Sequence, residues 1–288
     1  MKIAHLILAH NQPKQLERLI GSLSHPDADI FVHVDAKTDI EPFIGLQNIK
    51  NVFFIRNRTK VYWGSFSMVQ ATLNCFEEIA RTGKKYGFIN LLSGQDYPLK
   101  PQQFINDFLE ANKGTIFMNY LLFEDDWQEA LPRINKYHLN NFNFPGRFLV
   151  QKLINLTLPA RRIPDQWTPV GRSQWFTIPL ECMVYILEFW KRNKQFQRFM
   201  KLTWAPDEFI FQTILYNSIH RSRMVNNDLR YIDWSVGGSS PKTLTIEDIG
   251  KLSGSDKLFA RKFDLNKDEH VFDYIDKVFI NKKIDCAL

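Results

Sequence analysis

Two adjacent acids, Asp207 and Glu208, directly follow Pro206. Proline suits the first position of a helix and the helix dipole favours acids in the first turn, so the segment predicts a helix over residues 206–216. The dipole alone is enough to explain both acids. If Glu208 faces a cleft, however, its fixed carboxylate can remove a proton from a hydroxyl group, which is general-base chemistry.

Two further acids stand where predicted strands end. Asp35 closes the second predicted strand in the sequence HVDAK, and Asp96 follows the fourth in SGQDYPL. At the carboxyl end of a strand, Asp35 can accept hydrogen bonds from a nucleoside, and the segment around Asp96 predicts a rigid loop in a ligand crevice. Structural roles are also open: Asp35 as the cap of the next turn, Asp96 as part of an ordinary turn.

Cations lie beside aromatic residues in two segments. In the turn of residues 58–65, Arg58, Tyr62 and Trp63 precede Gly64, which lets a backbone approach a ligand closely. An ordinary basic loop with a buried tryptophan is the alternative. In the sequence FARKFD, burial of the two phenylalanines would leave the Lys262 ammonium group facing a diphosphate as a point charge. A lysine that protects a strand edge from aggregation has the same spacing.

Metal-binding patterns are weak in this sequence. Residues 27–29 spell the D-x-D that holds Mg²⁺ or Mn²⁺ in many nucleotide-sugar enzymes, but they precede the second predicted strand, at the end opposite the expected ligand crevice. The three cysteines, Cys75, Cys182 and Cys286, are odd in number and have no C-x-x-C spacing. We therefore expect no metal site, no disulfide framework and a reducing cytoplasm.

Strands and helices alternate through the first 119 residues. We predict strands at 3–9, 29–34, 52–55, 87–92, 115–119 and 175–178, and helices after Pro13, at 67–80, after Pro101, and at 179–190, 206–216, 245–252 and 270–281. Alternation of this kind predicts an α/β fold with a mixed, mainly parallel sheet flanked by helices. With no repeat, low-complexity segment or linker, residues 1–288 are predicted to form one domain.

The composition is that of a globular protein, because 44% of the residues are hydrophobic and 24% are charged. No apolar run approaches the ~20 residues that span a bilayer. The 37 basic residues are interleaved with 31 acids, so the net charge of +6 does not predict nucleic-acid binding. Residues 147–162 are basic at the ends and apolar between them. A buried amphipathic helix near 151–162 is the favoured interpretation, and weak peripheral contact with a membrane is the alternative.

Six motifs together resemble the core-2/I-branching β-1,6-N-acetylglucosaminyltransferase family, which includes the peptide O-xylosyltransferases. The similarity runs from Ile3 to about Asp276, and the motifs occur in the family's order. They are HVDAK, VYWGS, LSGQDYPLK, GRSQWF, APDE and LFARKFD. Six matches in order are far more specific than any one of them.

The resemblance implies a GT-A-type fold and a glycosyltransferase that inverts the anomeric centre without a metal ion or other cofactor. Glu208 matches the family's catalytic base in the APDE motif. The implied donor is a UDP-sugar, with N-acetylglucosamine favoured, and the implied acceptor is a hydroxyl of a saccharide or lipid-linked glycan. Residues 1–119 would then bind the nucleotide sugar, and residues 120–288 would supply the acceptor and catalytic half.

The resemblance also implies roles for individual residues. Lys262 matches the family's diphosphate-binding lysine. The family's arginine aligns near Ser239, and we expect Lys242 to substitute for it. Gln174 stands where xylosyltransferases have an aspartate, which weakens a xylosyl assignment. The expected donor-binding residues are Asp35, Arg58, Tyr62, Trp63, Asp96, Lys242 and Lys262, and the expected acceptor-binding residues are Asp125, Arg133, Lys136, Gln174 and Trp175.

The same resemblance predicts the cellular setting. Without the disulfides and anchor of the family's animal members, the chain is expected to be a bacterial cytoplasmic enzyme, at the inner face of the membrane if it contacts one. Its place would be the synthesis of a surface polysaccharide or lipid-linked glycan. Two alternatives stay open: a xylosyltransferase acting on a peptide or glycan, and a non-catalytic homologue that binds a nucleotide sugar or glycan.

Overall fold

The apolar run near the amino terminus forms a central strand, β1 (Ile3–Ala9). In the computed structural model, which describes residues 1–280, β1 pairs in parallel with β2 (Ala28–Val34) and with β4 (Phe88–Ser93). Every residue of β2 and β4 is buried. Parallel strands that are covered on both faces require this continuous burial, so the prediction from the apolar run is confirmed.

Seven strands form the main sheet in the order β3-β2-β1-β4-β7-β6-β8. The further strands are β3 (Val52–Phe54), β6 (Ile116–Leu122), β7 (Val170–Pro179) and β8 (Met224–Asn226). Strand β7 runs antiparallel to both of its neighbours, β4 and β6, whereas the other pairs are parallel. The predicted mixed, mainly parallel sheet is therefore confirmed.

Helices cover both faces of this sheet. The longer ones are α1 (Pro13–Leu23), α3 (Phe66–Arg81), α4 (Gln102–Ala111), α6 (Arg147–Thr157), α7 (Leu180–Arg192) and α8 (Lys194–Lys201). The shorter ones are α2 (Glu41–Ile44), α5 (Leu131–Asn135), α9 (Ile210–Tyr216), α10 (Ile249–Ser253) and α11 (His270–Ile275). One face of β1, with Ala4 and Leu6, lies in a core shared with α3, α7 and α9. The opposite face, with Ile3 and Ile7, lies in a core shared with α1, α4 and α11.

A second, three-stranded sheet was not predicted. It consists of β5 (Asp96–Pro98), β10 (Phe259–Arg261) and β9 (Arg230–Ile232), in that order. Strands of three residues are too short to show a hydrophobic period, so no sequence pattern indicated them. The predicted loop around Asp96 is part of this sheet, where β10 runs antiparallel to β5 and places Arg261 opposite Asp96.

Three predicted helices begin or end differently in the structure. The segment 206–216 forms a 3-10 turn (Pro206–Glu208) and then α9, because Phe209 leaves the helical conformation at φ −147°. The segment 245–252 is likewise a 3-10 turn followed by α10, and Thr245 and Asp248 form a capping box at its start. The last helix ends in a π-helical turn at Ile280, and residue 281 lies outside the described range.

The predicted helix near 151–162 is α6, which starts and ends earlier and has no buried residue. The prediction of a buried helix is therefore wrong. Among residues 1–280, no helix is both long enough and apolar enough to cross a membrane.

Candidate active site

The turn that carries Glu208 is hydrogen-bonded to the VYWGS turn. Ala205 adopts a left-handed conformation (φ 46°), and its N–H donates to the carbonyl of Gly64 at 2.9 Å. Gly64 itself has φ +66°, and a Cβ atom there would lie 2.6 Å from Nε1 of Trp204. Only glycine allows the two turns to approach so closely. Two motifs that lie 140 residues apart in the sequence therefore meet.

Glu208 is held by an arginine between two tryptophan rings. Its Oε2 accepts from Nη1 of Arg133 at 2.5 Å. The guanidinium carbon of Arg133 lies 4.6 Å from the ring centroid of Trp127 and 4.7 Å from that of Trp204. The side chain of Glu208 stays 35% exposed while that of Arg133 is only 13% exposed. The carboxylate is thus fixed in direction and still open to an approaching hydroxyl group.

Asp207 is in a different environment from its neighbour. It is buried, and its Oδ1 has no hydrogen-bond partner. Burial, followed by the negative charge of Glu208, raises the pKa of Asp207 to about 7, although its backbone hydrogen bond and Arg133 act in the opposite direction. Of the two acids, only Glu208 is placed to meet a substrate.

Strand β7 packs closely against the Glu208 turn at Gly171. A Cβ atom at Gly171 would lie 2.2 Å from Cβ of Phe209 and 2.5 Å from the carbonyl oxygen of Glu208. The next residue, Arg172, lies over the ring of Trp127 at 5.4 Å. The GRSQWF motif therefore forms one wall of the site.

The same strand reaches the small sheet at Trp175. Arg261 lies 4.6 Å from the ring centroid of Trp175, and its Nη1 donates to Oδ1 of Asp96 at 2.8 Å. Asp96 also accepts from the N–H of Ser93 at 3.0 Å and is fully buried. In this arrangement Asp96 positions Arg261. Four residues of a strand span roughly 13 Å, so Gly171 and Trp175 place Glu208 and Arg261 at the two ends of a short path.

The two lysines of the expected diphosphate site have different partners. Nζ of Lys262 donates to Oγ of Ser240 at 2.5 Å. Burial first, and then the neighbouring charge of Arg261, lower the pKa of Lys262. Nζ of Lys242 forms an ion pair with Asp248 at 2.6 Å, and Asp248 is buried in the capping box. Lys262 thus lies beside Arg261, whereas Lys242 is paired with the acid that caps the turn before α10.

Asp35 lies at the carboxyl end of β2, as predicted. Its Oδ1 accepts from the N–H groups of Lys37 at 2.8 Å and Val61 at 3.3 Å. Nζ of Lys37 lies 3.6 Å from its Oδ2 and 4.7 Å from the ring centroid of Tyr62. The HVDAK motif is thereby joined to the turn of residues 58–65.

The turn of residues 58–65 contains both structural and exposed side chains. Arg58 donates to the carbonyl oxygens of Val34, Asp35 and Thr38, so its guanidinium group holds the end of β2 in place. The rings of Tyr62 and Trp63 are more than half exposed. The alternative of a buried tryptophan at this turn is wrong, and the two rings present an aromatic surface.

His10 and Arg261 belong to the site but were not among the predicted residues. The ring of His10 follows β1, and the surrounding protein lowers its pKa; Arg261 and Lys37 lower it further, whereas Asp35 raises it. His10 follows Ala9, whose carbonyl accepts from the N–H of Asp35 at 2.8 Å, so it lies beside the HVDAK motif. The rule that ligands meet the carboxyl ends of parallel strands points to His10, and adjacency to Lys262 points to Arg261.

These contacts form one continuous surface. Asp35 contacts the 58–65 turn, Trp63 packs against Trp204 with ring centroids 5.8 Å apart, and Trp204 covers Arg133 beside Glu208. Strand β7 continues this surface to Trp175 and Arg261. Motifs that are separate in the sequence are therefore joined by a chain of side-chain and backbone contacts.

A family model confirms the resemblance that the motifs predicted. The model of the Core-2/I-Branching enzyme matches residues 3–253. The chain belongs to this family. The match supports the predicted glycosyltransferase class, and the mixed, mainly parallel sheet flanked by helices agrees with the architecture that the resemblance implied.

Curated relatives of this family member are named xylosyltransferases. Xylosyltransferase oxt of Drosophila pseudoobscura pseudoobscura is 26% identical over 92% of this chain and 32% of its own length. Xylosyltransferase 1 of Rattus norvegicus is 25% identical over 96% of this chain and 35% of its own length. The chain thus spans about a third of the length of these relatives.

Two solved structures show weaker similarity to this family member. Mouse xyloside xylosyltransferase 1 is 11% identical with a TM-score of 0.37, over 81% of this chain and 89% of that one. Glucosyl-3-phosphoglycerate synthase from Mycobacterium tuberculosis, in complex with Mn²⁺, UDP and glucosyl-3-phosphoglycerate, is 10% identical with a TM-score of 0.41, over 88% and 76% of the two chains. Neither similarity carries an argument about ligands of this chain.

The expected acceptor residues are only partly brought together in this family member. Arg133 contacts Glu208, and Trp175 contacts Arg261. Asp125 and Lys136 are exposed, and neither forms an ion pair within residues 1–280. Gln174 is almost fully buried, and its Nε2 has no hydrogen-bond partner. Of the predicted acceptor group, Arg133 thus has the direct link to the base.

The D-x-D residues do not fit a metal ion. Asp29 is fully buried, and it forms ion pairs at 2.8 Å with both Lys2 and Lys84. It also accepts from the hydroxyl of Tyr86 at 2.7 Å. Two ammonium groups occupy the position that a cation would need, at the amino end of β2. Over residues 1–280, no group of three or more His, Cys, Asp and Glu side chains is arranged to hold a metal.

Proposed function

We propose that this family member transfers a sugar from a UDP-sugar to a saccharide hydroxyl, with Glu208 as the general base. N-acetylglucosamine is the favoured sugar. The observation that carries the proposal is the Glu208 carboxylate, which is oriented by Arg133, partly exposed, and linked through β7 to the cations Arg261 and Lys262. A base at one end of a crevice and cations at the other suit the transfer of a group away from a diphosphate.

The proposed reaction is a single displacement. The acceptor oxygen attacks the anomeric carbon while the bond between that carbon and the diphosphate oxygen breaks. Glu208 takes the proton of the acceptor hydroxyl, and the electron pair of the broken bond leaves with UDP. Attack from the face opposite the leaving group inverts the anomeric configuration.

Side-chain cations stabilise the leaving group in this proposal. Lys262 and Arg261 lie close enough for the charge of Arg261 to lower the pKa of Lys262. Two crowded positive charges favour an incoming diphosphate, because its charge relieves their repulsion. Lys242 would join them only by leaving its ion pair with Asp248. No metal ion or other cofactor takes part.

The nucleoside and the acceptor occupy opposite parts of the proposed site. Asp35 and the exposed ring of Tyr62 serve the nucleoside, since they lie at the carboxyl end of β2. Trp63, Trp204 and Arg133 serve the acceptor, because they surround Glu208. The acceptor is a saccharide or a lipid-linked glycan, in bacterial glycan synthesis at the cytoplasmic face of the membrane.

Transfer of xylose is the second candidate. The names of the curated relatives favour it. Gln174 argues against it, because an amide cannot act as a base where the xylosyltransferases are expected to have an aspartate. Comparing UDP-N-acetylglucosamine, UDP-xylose and UDP-galactose for UDP release separates these donors.

The test is UDP release from UDP-N-acetylglucosamine, measured in EDTA for the wild type and for Glu208→Gln. The wild type is expected to turn over slowly by hydrolysis and faster with a saccharide acceptor. The variant should lose a factor of roughly a hundred or more, the scale of a lost general base, and keep its affinity for UDP. Glu124→Gln, at another exposed acid, is the matched control and should retain activity.

Three results would contradict the proposal. Full activity of Glu208→Gln removes the general base. Loss of wild-type activity in EDTA with rescue by Mn²⁺ removes the metal-free mechanism. Binding of UDP without any hydrolysis or transfer favours a non-catalytic homologue.

A further inference from the structure

Helix α6 exposes an apolar face. Phe148, Leu149, Leu153 and Leu156 are between 53% and 71% exposed. Of the twenty large hydrophobic side chains that are exposed within residues 1–280, eight lie between Phe142 and Leu158. Apolar surface concentrated in this way marks an interaction site in an otherwise ordinary protein surface.

The orientation of α6 is the reverse of that of an ordinary surface helix. Its two amide side chains near the middle face the protein: Oε1 of Gln151 accepts from the N–H of Leu139 at 2.8 Å, and Asn155 exchanges two hydrogen bonds of 2.8 Å with the backbone of Tyr137. Since Gln151 and Asn155 are four residues apart, they fix one face of the helix against the protein. Leu149 and Leu156 are thereby directed outward.

The charge of the molecule is concentrated in the same region. Residues 130–164 contain six of the 37 basic residues and none of the 31 acids, so the rest of the chain has 31 of each. The net charge of +6 thus belongs entirely to this segment. Four of its cations are exposed or partly exposed around the apolar face: Lys136, Arg147, Lys152 and Arg162.

We propose that α6 and its flanks form a docking surface for an anionic phospholipid bilayer, in which the helix lies parallel to the membrane plane. Leucine and phenylalanine side chains would enter the headgroup and acyl boundary while the lysines and arginines meet lipid phosphates. A nucleic acid would not need the apolar face. A protein partner or a second copy would match the apolar face, but the acid-free segment specifically fits a surface of fixed negative charge.

The docking surface adjoins the acceptor side of the site. The N–H of His138 donates to the carbonyl of Leu202 at 2.9 Å, and Oδ1 of Asn141 accepts from the N–H of Phe66 at 2.6 Å. A bilayer bound at α6 would therefore present a membrane-attached acceptor near Glu208, a consequence that rests on the proposed function. The binding itself needs neither donor nor acceptor.

The test is flotation of the full chain with vesicles of phosphatidylcholine alone or mixed with phosphatidylglycerol. The wild type should float with the mixed vesicles and not with phosphatidylcholine, and high salt should weaken the binding. Leu149→Gln/Leu153→Gln/Leu156→Gln and Lys152→Glu/Arg162→Glu should each reduce binding by on the order of tenfold or more. Ile219→Gln/Val236→Gln and Lys50→Glu/Lys85→Glu, at exposed positions elsewhere, are the matched controls and should bind like the wild type.

The outcomes separate this proposal from the proposed function. UDP release by the variants in solution, without vesicles, should equal that of the wild type. If the wild type and all variants are inactive, the result contradicts the proposed transferase activity and leaves the docking surface unaffected. The docking surface is overturned if the wild type does not float, if the apolar variant floats unchanged, or if the controls lose binding equally. Dimerisation through the leucines without flotation would assign the surface to a second copy instead.

Discussion

At the residue scale, neighbouring acids in one turn have opposite roles. Glu208 is partly exposed and paired with Arg133, whereas Asp207 is buried with an unpartnered oxygen. The left-handed Ala205 before them and the non-helical Phe209 after them (φ −147°, ψ −15°) flank the two acids. The buried acid and the partly exposed acid are therefore neighbours in sequence with different surroundings.

Asp207→Asn tests the buried acid. Because the pKa of Asp207 is raised from 3.8 to about 7, the folded protein keeps this proton between those pH values while the unfolded chain releases it. The free energy of unfolding therefore falls as pH rises through this window and is constant above it. Asparagine does not titrate, so the variant should gain roughly 2–4 kcal/mol relative to the wild type between pH 4 and 8.

Melting temperatures of both proteins from pH 4 to pH 8 provide the measurement. Groups remote from residue 207 titrate alike in the two proteins, so the difference between the two curves isolates Asp207 together with its coupling to Glu208. A difference that does not change with pH would show that Asp207 has an ordinary pKa.

The types of site residues could be predicted from the sequence, but their partners could not. Asp35 lies at the carboxyl end of β2, and Glu208 is a partly exposed acid in the turn after Pro206, as their positions in the sequence implied. Arg58 and Lys242 have the expected charge, yet one is bonded to backbone carbonyls and the other to a buried acid. The direction of a long side chain is decided by contacts with distant segments, which local spacing does not encode.

At the element scale, β7 connects the two ends of the site. Only its last part, residues 175–178, was predicted as a strand, because residues 170–174 mix glycine, arginine, serine and glutamine and show no period of two. Pairing with β6 extends the strand through this polar stretch. The same polar residues line the crevice, so tertiary pairing and function together obscure the local signal.

Gly171→Ala tests the contact between β7 and the Glu208 turn. The added methyl group would overlap the carbonyl oxygen of Glu208 and the Cα atom of Phe209. Both are backbone atoms, so no flexible side chain can move aside. We expect the turn to shift, which lowers turnover by roughly tenfold to a hundredfold, since small displacements of a base are costly. UDP affinity should change little because Arg261 contacts Trp175, four residues farther along β7.

Gly21→Ala is the control for this change. Gly21 lies inside α1 and a Cβ atom there meets nothing within 4 Å, so alanine should keep activity and stabilise the helix by about 0.5–1 kcal/mol. Steady-state kinetics and melting temperature distinguish the two variants. Wild-type turnover by Gly171→Ala would mean that the contact does not position Glu208.

At the scale of the whole molecule, the alternation of strands and helices in the sequence predicted the main sheet. It did not predict the second sheet or how that sheet is attached. Arg230 of β9 joins the two sheets: it is almost fully buried and donates to the carbonyls of Leu91 and Phe176, at 2.7 and 3.3 Å, and to Asn90 at 2.5 Å. It thus fills the gap where β4 and β7 stop pairing. Long-range contacts of one buried cation leave no local pattern in the sequence.

Arg230→Met tests this attachment. Methionine keeps much of the volume but cannot donate to the carbonyls of the main sheet. It also removes the positive charge beside buried Asp228. Burial raises the pKa of Asp228, and the charge of Arg230 acts in the opposite direction. We expect a loss of about 3–5 kcal/mol in the free energy of unfolding, as for a buried charge that loses its partner. Because Asp228 must then bind a proton or stay charged in the interior, the loss should be larger at pH 8 than at pH 5.

Urea unfolding of Arg230→Met, Asp228→Asn/Arg230→Met and Arg192→Met provides the measurement. The double variant should recover part of the loss and most of its pH dependence, because no buried carboxylate remains. Arg192 is 80% exposed and lies 4.0 Å from Glu188, so its replacement should cost less than about 1 kcal/mol. Equal effects of Arg230→Met and Arg192→Met would show that Arg230 does not hold the sheets together. A selective loss would show that the edge carrying Arg261 and Lys262 depends on a single buried cation for its attachment to the strands behind Glu208.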